Sequence, residues 1–148
     1  MITVMLTQRK HVSDAARILF GAYYRSLRDA KARLRKRIQT RESFVAVDKG
    51  KVVGVLIYAR DYSHYANYAE DLAVSKTHRG KGIATALLKK YLDASRKETP
   101  TRQTYALSST DISNTASVSL HKKVGFKEIG RLKGLHYGND EIFFAYRL

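Results

Sequence analysis

The chain has no cysteine, no tryptophan, a single proline (Pro100) and only two methionines in 148 residues. Without cysteine there can be no disulfide, no thiolate metal site and no cysteine nucleophile. No apolar run approaches the length needed to cross a bilayer. The opening stretch, MITVMLTQRK, carries its charge after its apolar residues, the reverse of a secretory signal. A soluble, cytoplasmic protein without membrane association is therefore expected. Acidic residues are also scarce: 13 Asp and Glu face 28 Lys and Arg, a formal net charge of +15. Such a balance attracts polyanions, whether nucleic acid, anionic lipid or a phosphate-rich small molecule. The plain alternative is a basic, solubilising surface.

What is present suffices for one core. Hydrophobic residues make up 44% of the chain, and its length predicts a single domain over 1–148. There is no internal repeat, low-complexity tract or linker. Weak alternation over 1–6 predicts a short first strand. Ser13 or Asp14 is a candidate cap for a helix in which Val12, Ala15, Ala16, Leu19, Phe20 and Tyr23 recur at helical spacing. Residues 25–37, RSLRDAKARLRKR, predict a second, very basic helix with Leu27, Leu34 and Ile38 as its apolar stripe.

Strands are predicted over 43–47 and 51–59, with Asp48-Lys49-Gly50 as the hairpin signal between them. A further strand spans 68–74, YAEDLAV, after a polar, aromatic segment whose turn has no clear position. Residues 82–96 form the clearest helix, with Ile83, Ala84, Leu87, Leu88, Tyr91 and Leu92 on one broad apolar face and Pro100 beyond its end. A strand over 104–110, a short helix over 115–124 stopped by Gly125, and a strand pair over 127–132 and 141–146 complete the pattern. Helices mixed with a partly hairpin-connected sheet predict an α/β (α+β) fold with a mixed sheet.

The stretch HRGKGIA, residues 78–84, stands between the 68–74 strand and that helix. A helix N-terminus carries unpaired N–H groups and partial positive charge. Glycines let a bulky anion approach the backbone, so the arrangement suits a phosphate. A tight turn with no further role is the simpler reading. A Walker loop fails, because Ile83 follows the second glycine where Lys and Ser/Thr are required. A dinucleotide fingerprint fails on glycine spacing.

The pattern R-x-x-G-x-A at 79–84 resembles the acetyl-CoA pyrophosphate loop of the GNAT superfamily of N-acetyltransferases. The preceding EDLAV is similar to that family's central strand, and ATALLKKYL to the helix that follows it. NTASVSLHKKVGF, starting at Asn114, resembles the second family signature with some positions departing. The resemblance runs from about Ser43 to the end of the chain.

It implies a mixed, twisted central sheet, flanked by helices, with a splay between two central strands where acetyl-CoA wedges. The pantetheine arm would pair with the backbone of Leu72, Ala73 and Val74. The pyrophosphate would rest on the N–H groups of Arg79, Gly80, Lys81, Gly82, Ile83 and Ala84. Asn114 would bond the pantetheine side. Lys122 or Lys123 would meet the adenosine phosphates or form a solvated face. The implied reaction is direct attack of a primary amine on the thioester, with a base to take the amine proton.

Glu70 and Asp71 are the candidate bases, and in an extended strand they point to opposite faces. The stretch YAEDL is similar to the spermidine/spermine N-acetyltransferases, in which the residue matching Glu70 takes part in catalysis. The ribosomal-protein alanine acetyltransferases keep a catalytic Glu five residues before the signature Asn, where this chain has Ser109. His121 stands where the family usually has a tyrosine acid. Asn114, Ser117 and His121 share a helix face. Either His121 is the acid, or it is a spacer and water protonates the thiolate.

The candidate acceptors are an amine of a small molecule, a peptide terminus or a lysine; a polyamine is repelled at long range by the basic chain and stays open only through a locally acidic cleft at Glu70, Asp71 and Asp61. Tyr23, Tyr24, Tyr62, His64, Tyr65 and Tyr68 lie on segments that surround the acceptor in that family, or serve packing. Two other classes stay open: a nucleic-acid- or ribosome-associated binding protein of GNAT fold, and a CoA-binding GNAT fold without catalysis. No metal site is expected, and a homodimer is open.

Overall fold

In the computed structural model, residues 1–98 and 104–148 are described, with only the backbone for His136. The chain packs as two compact units, one of residues 1–58 and 71–91, the other of 59–70 and 92–148. Seven strands form a mixed sheet in the order β1-β2-β3-β4-β5-β7-β6. No helix among the described residues is long and apolar enough to cross a membrane.

In the first unit, β1 (Ile2–Leu6) pairs antiparallel with β2 (Ser43–Asp48), and β2 with β3 (Lys51–Ser63). Lys49 and Gly50 make the two-residue turn between β2 and β3, both at positive φ (49° and 78°), as a type I′ hairpin requires. Helix α1 (Val12–Ala22) buries Val12, Ala15, Ala16 and Leu19, one stripe at helical spacing. It begins two or three residues earlier than the Ser13 or Asp14 cap predicts, with His11 at the cap position. Helix α2 (Leu27–Gln39) is capped by Ser26, whose Oγ accepts from the Asp29 N–H at 3.1 Å. It buries only Ala30 and Leu34. These residues join Val45, Val55 and Ile57 in one core, where each large aliphatic side chain contributes roughly 1.5–3 kcal/mol by its burial.

In the second unit, the first half of β4 (Ala66–Val74) pairs parallel with β5 (Tyr105–Asp111), from Ala66↔Tyr105 to Ala69↔Ser108. Strand β5 pairs antiparallel with β7 (Asn139–Arg147), and β7 with β6 (Lys127–His136). Helix α4 (Thr115–Val124) is capped by Asn114 and stopped by Gly125, which has φ 115° and donates to the carbonyls of His121 and Lys122. Helix α3 (Ile83–Glu98) follows β4. Pro100, read as lying beyond the end of that helix, is outside the described residues.

Two hairpins are longer than the sequence predicts. Strand β3 runs to Ser63 rather than 59, and β4 starts at Ala66 rather than 68. The Tyr62 and Tyr68 rings pack 4.9 Å apart, and the Asp61 N–H donates to Asn67 Oδ1 at 3.1 Å, so the polar, aromatic segment is held as strand. Likewise β6 and β7 approach to a two-residue turn, Tyr137-Gly138, again with both φ positive.

Candidate functional site

Strand β4 leaves the sheet at Val74, and the Ser75 N–H still donates to the Val53 carbonyl at 2.8 Å. A single 3-10 turn, Lys76–His78, leads to Arg79 in an extended conformation. Gly80 and Gly82 then adopt φ of +77° and +78°, the left-handed region that side chains disfavour. A Cβ added to either would meet nothing within 4 Å, so both glycines border open space. The Ala86 N–H donates to the Gly82 carbonyl at 3.0 Å, which starts the α3 ladder and leaves the N–H groups of residues 82–85 outside it. Open backbone, orphan N–H groups and the positive end of a helix coincide, as an anionic phosphate group requires. The exposed side chains of Arg79 and Lys81 add charge at the rim.

Two residues that the sequence reading did not single out position this loop. A Cβ on Gly54 of β3 would stand 2.8 Å from the Ile83 side chain and 3.1 Å from that of Leu87, so the first turn of α3 rests directly on the β3 backbone. An isolated glycine inside a strand pattern was the available signal. His78 spans the loop and the β2–β3 turn. Its Nε2 lies 3.4 Å from Asp48 Oδ2, and its Nδ1 lies 2.9 Å from Thr77 Oγ1 and 3.1 Å from Ser75 Oγ.

On β4, the two candidate bases have different surroundings. The Tyr24 hydroxyl donates to Asp71 Oδ2 at 2.6 Å. Burial pushes the Asp71 carboxyl above its ordinary range, against the pull of the Tyr24 bond and of the Arg33 and Arg37 charges. Burial and the same carboxylate push the Tyr24 phenol upward. Arg37 also pairs with buried Glu42 at 3.3 Å. Next to Asp71, the Leu72 carbonyl accepts from the Tyr23 hydroxyl at 2.7 Å. Glu70 is half-buried.

Asn67, four residues before Asp71, donates instead to Ser95 of α3 at 3.0 Å. Helices α2 and α3 cover opposite faces of β3, because Gly54 points at α3 while Val55 lies in the α1–α2 core.

In the second unit, the Tyr68 hydroxyl is hydrogen-bonded to Ser109 Oγ. His121 is 2% exposed and lies flat on Phe144, ring centroids 4.8 Å apart. Its Nδ1 lies 2.7 Å from the Ser117 carbonyl oxygen, which only a protonated nitrogen can approach as a donor. In the neutral ring, Nε2 is then an acceptor, and the Ser108 hydroxyl donates to it at 2.8 Å. Burial lowers the ring's pKa, opposed by the Ser117 carbonyl. Asn114 caps α4 through Oδ1, which accepts from the Ser117 N–H at 3.1 Å. The shared face of Asn114, Ser117 and His121 is therefore present, and its histidine is turned into the core.

Among the described residues, no three His, Cys, Asp or Glu side chains are placed to hold a metal ion. Residues 12–126 match the profile of the acetyltransferase (GNAT) family. The chain is similar to N-alpha-acetyltransferase 30 of Schizosaccharomyces pombe, with 31% identity over 104 residues, 68% of this chain and 67% of that protein. Two solved structures share the fold across 99% of the chain. The ribosomal-protein-alanine N-acetyltransferase from Brucella melitensis superposes with a TM-score of 0.84 at 22% identity over 99% of its length. A chain of the NatC complex bound to Gag peptide and CoA superposes with a TM-score of 0.82 at 18% identity over 98% of its length.

Proposed function

Because this chain belongs to the acetyltransferase (GNAT) family and is an acetyl-CoA-dependent N-acetyltransferase, we propose that its acceptor is the N-terminal α-amine of a polypeptide, with Glu70 receiving the amine proton. The observation that carries the donor side is the open glycine loop at the start of α3. The N–H groups of Arg79, Gly80, Lys81, Gly82, Ile83 and Ala84 would hold the pyrophosphate. The backbone of Leu72, Ala73 and Val74 would hold the pantetheine arm, and Asn114 offers its Nδ2. Bound acetyl-CoA supplies a thioester-activated acetyl group.

The likeness to an N-alpha-acetyltransferase favours a peptide terminus. Acid–base chemistry favours it too. An α-amine has a pKa of about 7.7–8.0 and a lysine about 10.4, so near neutrality the lysine's reactive neutral fraction is roughly 300-fold smaller. A single carboxylate of modest basicity, working directly or through a water, is therefore better matched to the α-amine. Glu70 is the stronger candidate because YAEDL is similar to the strand of the spermidine/spermine N-acetyltransferases, in which the matching Glu takes part in catalysis; Asp71 accepts from Tyr24 and is faced by Arg33 and Arg37. Ser109, where the ribosomal-protein enzymes carry their Glu, is engaged with Tyr68 and offers no carboxylate.

The proton needed by the departing thiolate comes from solvent, and His121 acts as a packed spacer. Its burial and its accepting Nε2 support that reading over an acid role. A thiolate conjugate to a thiol of pKa about 8.5 is a tolerable leaving group without a dedicated acid.

The test is CoA release in the presence of an amine panel. Peptides with a free N-terminus should stimulate it, and the same peptides blocked at the N-terminus but keeping a lysine should not. Stimulation only by lysine side chains or small amines would refute the acceptor.

A further inference from the structure

Helix α2 carries more cations than the fold uses. Six of its thirteen residues, LRDAKARLRKRIQ, are Lys or Arg, against the single acid Asp29. Two of the six are spent inward: Arg33 and Arg37 are half-buried and act on Asp71 and Glu42. The other four look outward. Arg28, Arg35 and Lys36 are exposed and Lys31 is half-exposed, with exposed Arg25 just before the helix. None of these five makes an ion pair among the described residues. Like charges three and four apart on a helix cost about 0.2–0.5 kcal/mol per pair, and both Arg28–Lys31 and Lys31–Arg35 are such pairs. The helix bears that small cost on its cap and its buried side, and a bound polyanion would offset it.

We propose that the outward face of α2 docks a nucleic acid by its phosphate backbone. The cationic stripe advances one helical turn, about 5.4 Å, at a time, a spacing that lets successive side chains reach successive phosphates. Three of the five cations are arginines, whose planar fork suits phosphate oxygens. No aromatic side chain lies among them, so the contact is electrostatic and independent of base sequence. A membrane is the poorer occupant. On the apolar side of α2, Ala30 and Leu34 are fully buried in the core, which leaves Leu27 as the one large apolar side chain exposed on the helix, too little to insert into lipid. An acidic protein is poorer too, because Leu27 is the one large aliphatic side chain that α2 exposes, against five outward cations, and a single residue is not a hot-spot cluster. The site is separate from the glycine loop and does not depend on which amine is acetylated.

The test is fluorescence anisotropy of a labelled oligouridine RNA and a matching oligothymidine, titrated with the whole protein between about 50 and 200 mM salt. Three proteins are compared: wild type, the α2 triple variant Arg28→Gln/Lys31→Gln/Arg35→Gln, and a control of equal charge on exposed α3 positions, Lys89→Gln/Lys90→Gln/Lys97→Gln. Melting temperatures establish that both variants fold. With about 0.7 counterion released per phosphate contact on a single strand, the α2 variant should lower the salt slope by about 2 and weaken binding about tenfold or more. The α3 control should bind within about twofold of wild type. Equal weakening by both triples would make the binding a property of the overall charge and overturn the proposal. So would unchanged binding in the α2 variant, or wild type that ignores both nucleic acids yet binds phosphatidylserine vesicles.

Discussion

Tyr24 and Asp71 are joined by a hydrogen bond of 2.6 Å across 47 positions of chain, tying the α1–α2 connection to strand β4. Asp71 is thereby an anchor between the two segments, and its neighbour Glu70 is the base we propose.

Glu70→Gln and Asp71→Asn should therefore separate. Glu70→Gln is expected to lower kcat by about 10²- to 10⁴-fold, the usual contribution of a positioned base, with little change in melting temperature. Asp71→Asn should mainly alter stability. If Asp71→Asn abolishes turnover while Glu70→Gln is silent, the two roles are reversed.

The anchor also has a pH signature. The Asp71 pKa is raised in the folded protein, so its folded form holds the proton more tightly than the unfolded chain does. Its contribution to stability is greatest below the ordinary carboxylate pKa and is lost as pH rises through the raised value. Asp71→Asn has no such titration. Its melting temperature, relative to wild type, should therefore rise on going from acid to neutral pH; a difference that is flat across that range would contradict the assignment.

His121 gives the opposite sign. Its pKa is depressed, so its contribution is full above the ordinary histidine value and falls as pH drops toward the lowered one. His121→Phe should remove part of the acid destabilisation. It should also cost about 1–3 kcal/mol by leaving the buried Ser108 hydroxyl without its acceptor. The alkaline limb of the kcat profile should keep its position, and its disappearance would restore His121 as the acid.

Tyr23 should act on the donor. Its hydroxyl occupies the Leu72 carbonyl at 2.7 Å, one of the backbone groups assigned to the pantetheine arm. Tyr23→Phe frees that carbonyl, and the KM for acetyl-CoA is expected to fall. A raised KM would mean that the phenol holds β4 in its binding shape.

What could be read from the sequence was local. The glycines of residues 79–84, the start of α3 and the Gly125 stop each depend on a few adjacent residues, and the structure has them where the residues imply. Pairings across tens of residues gave no such signal. Asp48 with His78, Tyr24 with Asp71 and Gly54 with Ile83 are products of the sheet's assembly. The β3–β4 turn was missed because His64 and Tyr65 carry no turn chemistry, and tyrosine packing decides the strand length instead. The helix face of His121 was legible from its spacing. Its direction was not, because that is set by Ser108 and Phe144 on β5 and β7.

The central claim is that the backbone of residues 79–84 holds the donor, and calorimetric titration with CoA tests it most directly. Wild type should bind one CoA per chain. Gly82→Glu, which puts bulk, charge and backbone strain at a φ of +78°, should show no heat of binding while still melting cooperatively. A folded Gly82→Glu protein with wild-type affinity for CoA would contradict the account.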